Sequence, residues 1–198
     1  MSAIKFIVEG NADALFIRAF LKKHLNLDYK DNDFIKIGGC TKELLSLDAN
    51  LKLINESISK GRKNLLLFDA DQPDFKQTKG NLELWKKELE IDYKIFLFPN
   101  NKDDGSLETL LFNIANLTDG KDGVLNCFDS YKQCITGLNK NFSLPDAHAK
   151  FYAFEEAVLS RTKFKDVVNK PDKYLLDELY NIKSDYLNPL KEFLTTHL

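Results

Sequence analysis

Histidine, cysteine, tryptophan and methionine are scarce in this sequence, at three, three, one and one among 198 residues. Cys40, Cys127 and Cys134 are odd in number and lack the paired spacing of zinc ligands, which argues against a disulfide framework or a zinc site and fits free packing thiols in a reducing compartment. His24, His148 and His197 are scattered and read as surface or packing residues. No apolar run approaches membrane-spanning length, and the N-terminus reaches the acidic Glu9 too early for a signal peptide. A soluble cytoplasmic protein with no membrane partner is expected. Neither sign of charge dominates: 28 Lys and Arg stand against 30 Asp and Glu, a net charge of −2. The overall basic field that advertises tight nucleic-acid binding is therefore missing. There is no internal repeat, low-complexity tract or linker.

What remains is 43% hydrophobic and 29% charged, enough for one domain with a full core. The most informative stretch is Asn64-Leu65-Leu66-Leu67-Phe68-Asp69-Ala70-Asp71-Gln72-Pro73. Its apolar part reads as a strand buried on both faces, stopped by proline. Alternation along an extended chain points Asp69 and Asp71 to the same side, at the carboxyl edge where open α/β sheets bind ligands. Two carboxylates about 4 Å apart repel by roughly 4 kcal/mol at a surface-like dielectric, a cost that a divalent cation removes. Two solvated turn aspartates are the alternative reading.

Three further strands are expected at Lys5-Phe6-Ile7-Val8, Phe34-Ile35-Lys36-Ile37 and Lys94-Ile95-Phe96-Leu97-Phe98. The first meets Glu9-Gly10-Asn11, where Asn11 is a plausible cap for a helix with Leu15, Phe16, Ala19 and Phe20 on its apolar face. Asp13 falls in the first turn, where the helix dipole favours an acid; equally, Glu9 and Asp13 across a tight turn can aim both carboxylates at one point above the sheet. Thr41 caps a helix whose stripe of Leu44, Leu45, Leu47, Leu51 and Ile54 runs to about residue 59. Residues 73–80 read as a polar loop before a helix through Leu82, Trp85 and Leu89. After the fourth strand and a turn-rich loop, Ser106 is a cap candidate with Glu108 in the first turn. Thus strand, turn and acidic helix start recur after strands one, three and four. Beyond Asp119 the patterns turn helical: around Phe128 to Ile135, Phe151 to Val158 and Tyr174 to Leu179, with a short terminal element from Ser184. The division expected is an α/β core over 1–118, with about four mostly parallel strands flanked by helices, and a helical C-terminal part over 119–198 packed on it as one compact domain.

Phe6-Ile7-Val8-Glu9-Gly10 together with Leu66-Leu67-Phe68-Asp69-Ala70-Asp71 resembles the TOPRIM domain of topoisomerases, primases and related nucleases. Asp13 and Ser106-x-Glu108 extend the likeness to the acidic set of the overcoming-lysogenization-defect class. Phe96-Leu97-Phe98-Pro99, Gly105-Ser106-Leu107-Glu108, Lys150-Phe151-Tyr152-Ala153 and Leu187-Asn188-Pro189-Leu190 resemble a bacterial TOPRIM-like family of unassigned function. The resemblance implies a Rossmannoid TOPRIM-like core and a nuclease or other phosphoryl-transfer enzyme acting on DNA or RNA. Mg²⁺ or Mn²⁺ would be held by Glu9, Asp69 and Asp71, with Asp13, Glu108 and Ser106 at a second ion; hard oxygen donors without His or Cys suit these metals. Glu9 is alternatively a general base, and Lys150 is the cation implied for the transition-state charge, or else a solvated helix lysine. The mild charge, and the lack of an attached ATPase or DNA-binding domain, motivate a second expectation: a non-catalytic TOPRIM-like module working with a separately encoded partner, such as an ATPase in phage defence. A third is an acidic cluster that holds a structural cation.

Overall fold

Each strand grows from an apolar run that is buried on both faces in the computed structural model, which describes residues 3–70 and 74–198. β1 (Ile4–Val8) leads into α1 (Asn11–Leu25), then β2 (Phe34–Lys36), α2 (Lys42–Leu45), α3 (Asp48–Ser59), β3 (Lys63–Asp69), α4 (Phe75–Glu88) and β4 (Lys94–Phe98). All pairings are parallel, in the order β2-β1-β3-β4. The expected α/β class with four parallel strands flanked by helices is what the chain adopts, consistent with a Rossmannoid core.

The chain first winds outward from β1 to β2, then crosses back to β3 and continues to β4. The direction of winding therefore reverses between β1 and β3, and the carboxyl ends of those two strands flank the crevice where doubly wound sheets bind ligands. One sheet face, with Ile7, Ile35, Leu66, Phe68 and Leu97, packs on Leu45, Ile54 and Leu82 from α2, α3 and α4. On the other face, Phe98 meets Phe16 of α1 with ring centroids 6.3 Å apart, and Phe96 meets Phe193 at 5.3 Å. Phe193 lies on the terminal helix α9 (Asn188–His197).

Contacts divide the chain into two units, residues 1–113 with 183–198, and residues 114–182. The terminal segment thus belongs with the sheet rather than with the helical part. Between them in sequence run α5 (Leu107–Ile114), α6 (Asp122–Leu138), α7 (Ala147–Leu159) and α8 (Arg161–Val167). The helical unit closes on itself through an antiparallel bridge between Ala115 and Tyr180. Inside it, Glu155 of α7 receives Lys173 Nζ at 2.9 Å and the Tyr180 hydroxyl at 2.5 Å, all three residues being buried.

Several local expectations shift. Gly10, not Asn11, is the extended residue before α1, and the Asp13 carboxylate accepts its N–H at 2.7 Å. The helix expected after Thr41 is broken: Leu47 leaves helical geometry (φ −56°, ψ 133°), joins α2 to α3 and stands half exposed rather than in the stripe. α4 begins at Phe75, because Asp74 accepts the Gln77 N–H at 2.9 Å, and Gly80 lies inside it. The helix expected around Tyr174 is a 3₁₀ turn over Pro171–Leu175. Among the described residues no helix is long and apolar enough to cross a membrane.

Candidate functional site

The carboxylates of the switch point are held by backbone amides from neighbouring segments. Glu9 follows β1 directly, and its Oε1 accepts the N–H of Asp69, the last residue of β3, at 2.8 Å. Ala70 and Gly105 exchange two hydrogen bonds, of 2.7 Å and 3.3 Å, which latch the loop after β4 to the end of β3. Gly105 has φ +142°, and a Cβ there would lie 2.7 Å from Thr109 Oγ1 and 3.0 Å from its Cβ, so only glycine fits. The latch delivers the start of α5 to Asp69, whose Oδ1 accepts the Leu107 N–H at 2.9 Å. Asp69 therefore caps a helix that begins 38 residues later. The Ser106 hydroxyl donates to Glu108 Oε2 at 2.9 Å, and the Ser106 N–H goes to Thr109 Oγ1 at 3.2 Å. Ser106 thus sits at the helix start as expected, with its side chain turned to Glu108 rather than to a backbone amide.

Asp13 and Ser106 are buried. Desolvation pushes the Asp13 carboxyl up to about 7; the Gly10 amide opposes this, while the charges of Glu9 and Glu108 add to it. For Asp69 desolvation is again the leading cause, Glu9 and Asp13 add to it and the Leu107 amide opposes, leaving it at about 9. The charges that weigh most on both groups are other carboxylates. This is an electrostatic arrangement that a bound cation would relieve.

Glu9, Asp13, Asp69, Ser106 and Glu108 are thus brought into one electrostatic neighbourhood. Asp71 lies outside the described residues. The donors are carboxylate and hydroxyl oxygens, the chemistry of a hard divalent cation. Among the described residues no three His, Cys, Asp or Glu side chains form a ready-made ion cage. Lys36, which the sequence reading did not single out, ends β2 on the same edge, with Val8 as its register partner and its Nζ bonded to Asn11 Oδ1 at 3.0 Å and Asp31 Oδ1 at 2.7 Å. Lys150 belongs to the helical unit, where its Nζ contacts both carboxylate oxygens of Asp129 at 2.7 Å, joining α7 to α6. The latch and the capping role of Asp69 had no local signal, because both depend on residues more than thirty positions apart. The buried Glu155 had one: it interrupts the apolar face of Phe151, Phe154 and Val158.

The fold and site define an α/β protein with a doubly wound parallel sheet and a cluster of acidic residues at its switch point. A family model described as "Protein of unknown function (DUF3226)" matches residues 4–153, and the chain belongs to that family. No curated protein and no solved structure matches it.

Proposed function

We propose that the chain is a TOPRIM-like, divalent-metal-dependent nuclease or related phosphoryl-transfer enzyme acting on DNA or RNA. The observation that carries this reading is the gathering of Glu9, Asp13, Asp69 and Glu108 at the switch point without a cation prominent among the charges acting on Asp13 and Asp69. Glu9, Asp69 and Asp71 are the candidate holders of Mg²⁺ or Mn²⁺, and Asp13 and Glu108, with Ser106 fixing the Glu108 carboxylate, are candidates for a second ion. When bound, such an ion supplies activation of water and stabilisation of charge on a phosphate. The chain's own contribution is positioning: the Asp69 amide orients Glu9, the Leu107 amide orients Asp69, and the Gly10 amide orients Asp13. Because Asp13 and Asp69 hold protons to about pH 7 and 9, ion binding at neutral pH must release them.

The test is incubation of the protein with single- and double-stranded DNA and with RNA in Mg²⁺ or Mn²⁺, alongside Asp69→Ala and Asp71→Ala. Cleavage lost in both variants supports the reading; cleavage unaffected by them removes the site. Calorimetric titration of Mg²⁺ in two buffers of different ionisation heat should show proton release, and no release at pH 7 would count against ligation by Asp13 and Asp69.

A second reading, a non-catalytic TOPRIM-like module acting with a separately encoded ATPase, is favoured by the absence of a ready-made ion cage among the described residues. A stable complex without turnover by the lone protein would support it.

A further inference from the structure

Helix α6 carries two different faces. Leu125, with half-buried Val124, Phe128, Lys132 and Ile135, forms its inner side. On its outer side Cys127, Tyr131, Cys134 and Leu138 are exposed, Tyr131 at 54% and Leu138 at 74%. Their spacing of four, three and four is the d-a-d-a seam of a two-helix coiled coil, and at 100° per residue they project within about 60° of one another. Beyond the helix, Phe142 and Leu144 are exposed as well.

The residues beside the seam are neutral: Asn126, Ser130, Gln133 and Gly137, all exposed. A two-fold contact sets a patch against itself, so a charged face would repel its own copy, whereas a neutral one is self-complementary. The order of sizes is informative too. Small, large, small, large along the seam becomes large, small, large, small when the helix is reversed. An antiparallel pair therefore sets Cys127 against Leu138 and Tyr131 against Cys134 of the second copy, one large and one small residue in every layer. A parallel pair would stack like on like, leaving cysteine layers thin and the tyrosine layer crowded. Antiparallel helices also oppose their dipoles favourably.

We propose that this seam is the self-association surface of the protein, and that two copies pair α6 against α6 antiparallel about an axis between residues 132 and 133. A single helix of 17 residues presents a small seam, so the dimer is weak and depends on concentration.

The test is light scattering and sedimentation of the full chain from roughly 5 to 300 µM, concentrations that bracket such an affinity. The expected mass rises toward twice that of the chain, and Tyr131→Lys with Leu138→Lys returns it to the single-chain value at every concentration while far-UV circular dichroism and the melting temperature are kept. Orientation is read in a Cys40→Ser background under mild oxidation: Leu138→Cys gives an intermolecular disulfide with Cys127, whereas the unchanged seam does not cross-link. A single-chain mass at the highest concentration, or a dimer that survives both lysines, overturns the proposal. Ready oxidation through the native Cys127 or Cys134 overturns the antiparallel register.

Discussion

The two units treat buried carboxylates in opposite ways. In the helical unit Glu155 is answered by the Lys173 ammonium and the Tyr180 hydroxyl, so its charge is neutralised where it lies. In the α/β unit buried Asp13 and half-buried Asp69 are met by backbone amides, and the strongest charges acting on them are other carboxylates. A paired buried charge explains itself as architecture. Gathered carboxylates with raised pKa values cost the folded chain stability once they ionise, and clusters of this kind recur at functional sites.

That contrast can be broken most forcefully in the helical unit. Lys173→Met removes the ammonium partner of the buried Glu155 carboxylate, and should cost about 3–5 kcal/mol in urea unfolding. The double change Glu155→Leu with Lys173→Met should recover most of the loss. If the single change costs nothing, the network is not what holds Glu155 in place.

Next in size is Gly105→Ala. The positive φ and the Thr109 contact should cost roughly 2–3 kcal/mol, and the weakened latch should release the Leu107 amide from Asp69. Nuclear magnetic resonance of the Leu107 amide would show this as faster hydrogen exchange.

Asp13→Asn probes the other side of the comparison. The amide keeps an acceptor for Gly10 but cannot ionise, so at pH 8 without metal it should be more stable than the native chain by on the order of 1–3 kcal/mol. The same change should weaken Mg²⁺ binding. A destabilised variant would mean that Asp13 is only a helix-start residue.

The pH dependence follows from the same two groups. Their folded pKa values lie above the unfolded value of 3.8, so the folded chain binds more protons than the unfolded one in that window. Their stabilisation is fully present below about pH 4 and is lost as pH rises through about 7 for Asp13 and about 9 for Asp69. The metal-free melting temperature should decline across pH 5 to 9, and excess Mg²⁺ should flatten the decline. A slope that Mg²⁺ leaves unchanged would separate the acidic cluster from metal binding.

The smallest effect is expected for Lys150→Met. Its partner Asp129 is half exposed, so the pair should be worth less than about 1 kcal/mol. Cleavage, where found, should persist, since the lysine's charge is already taken up by Asp129. Loss of turnover with an unchanged fold would instead make it the cation of the reaction.

Much of the α/β unit was legible because it is written in local pattern. The runs around Ile7, Leu66 and Phe96 are apolar on both faces, which only a covered parallel sheet accommodates, and acids recur just after those runs. Helix boundaries were less legible. Gly80 and the polar residues around it look like a loop, yet Asp74 caps a helix that runs through them. Leu47 fits an apolar stripe by spacing, yet it is the joint between two helices. The site was legible as a set of residue types, and Glu9, Asp13, Asp69, Ser106 and Glu108 do share one sheet edge.

The sequence by itself determined that hard oxygen donors would collect after strands, because strand alternation and helix starts are properties of neighbouring residues. Only the tertiary structure decided how those donors are held. Asp69 answers to Leu107, Glu9 to Asp69 and Gly105 to Ala70, and hydrogen bonds between distant segments exist only once the sheet order β2-β1-β3-β4 has brought those strand ends together.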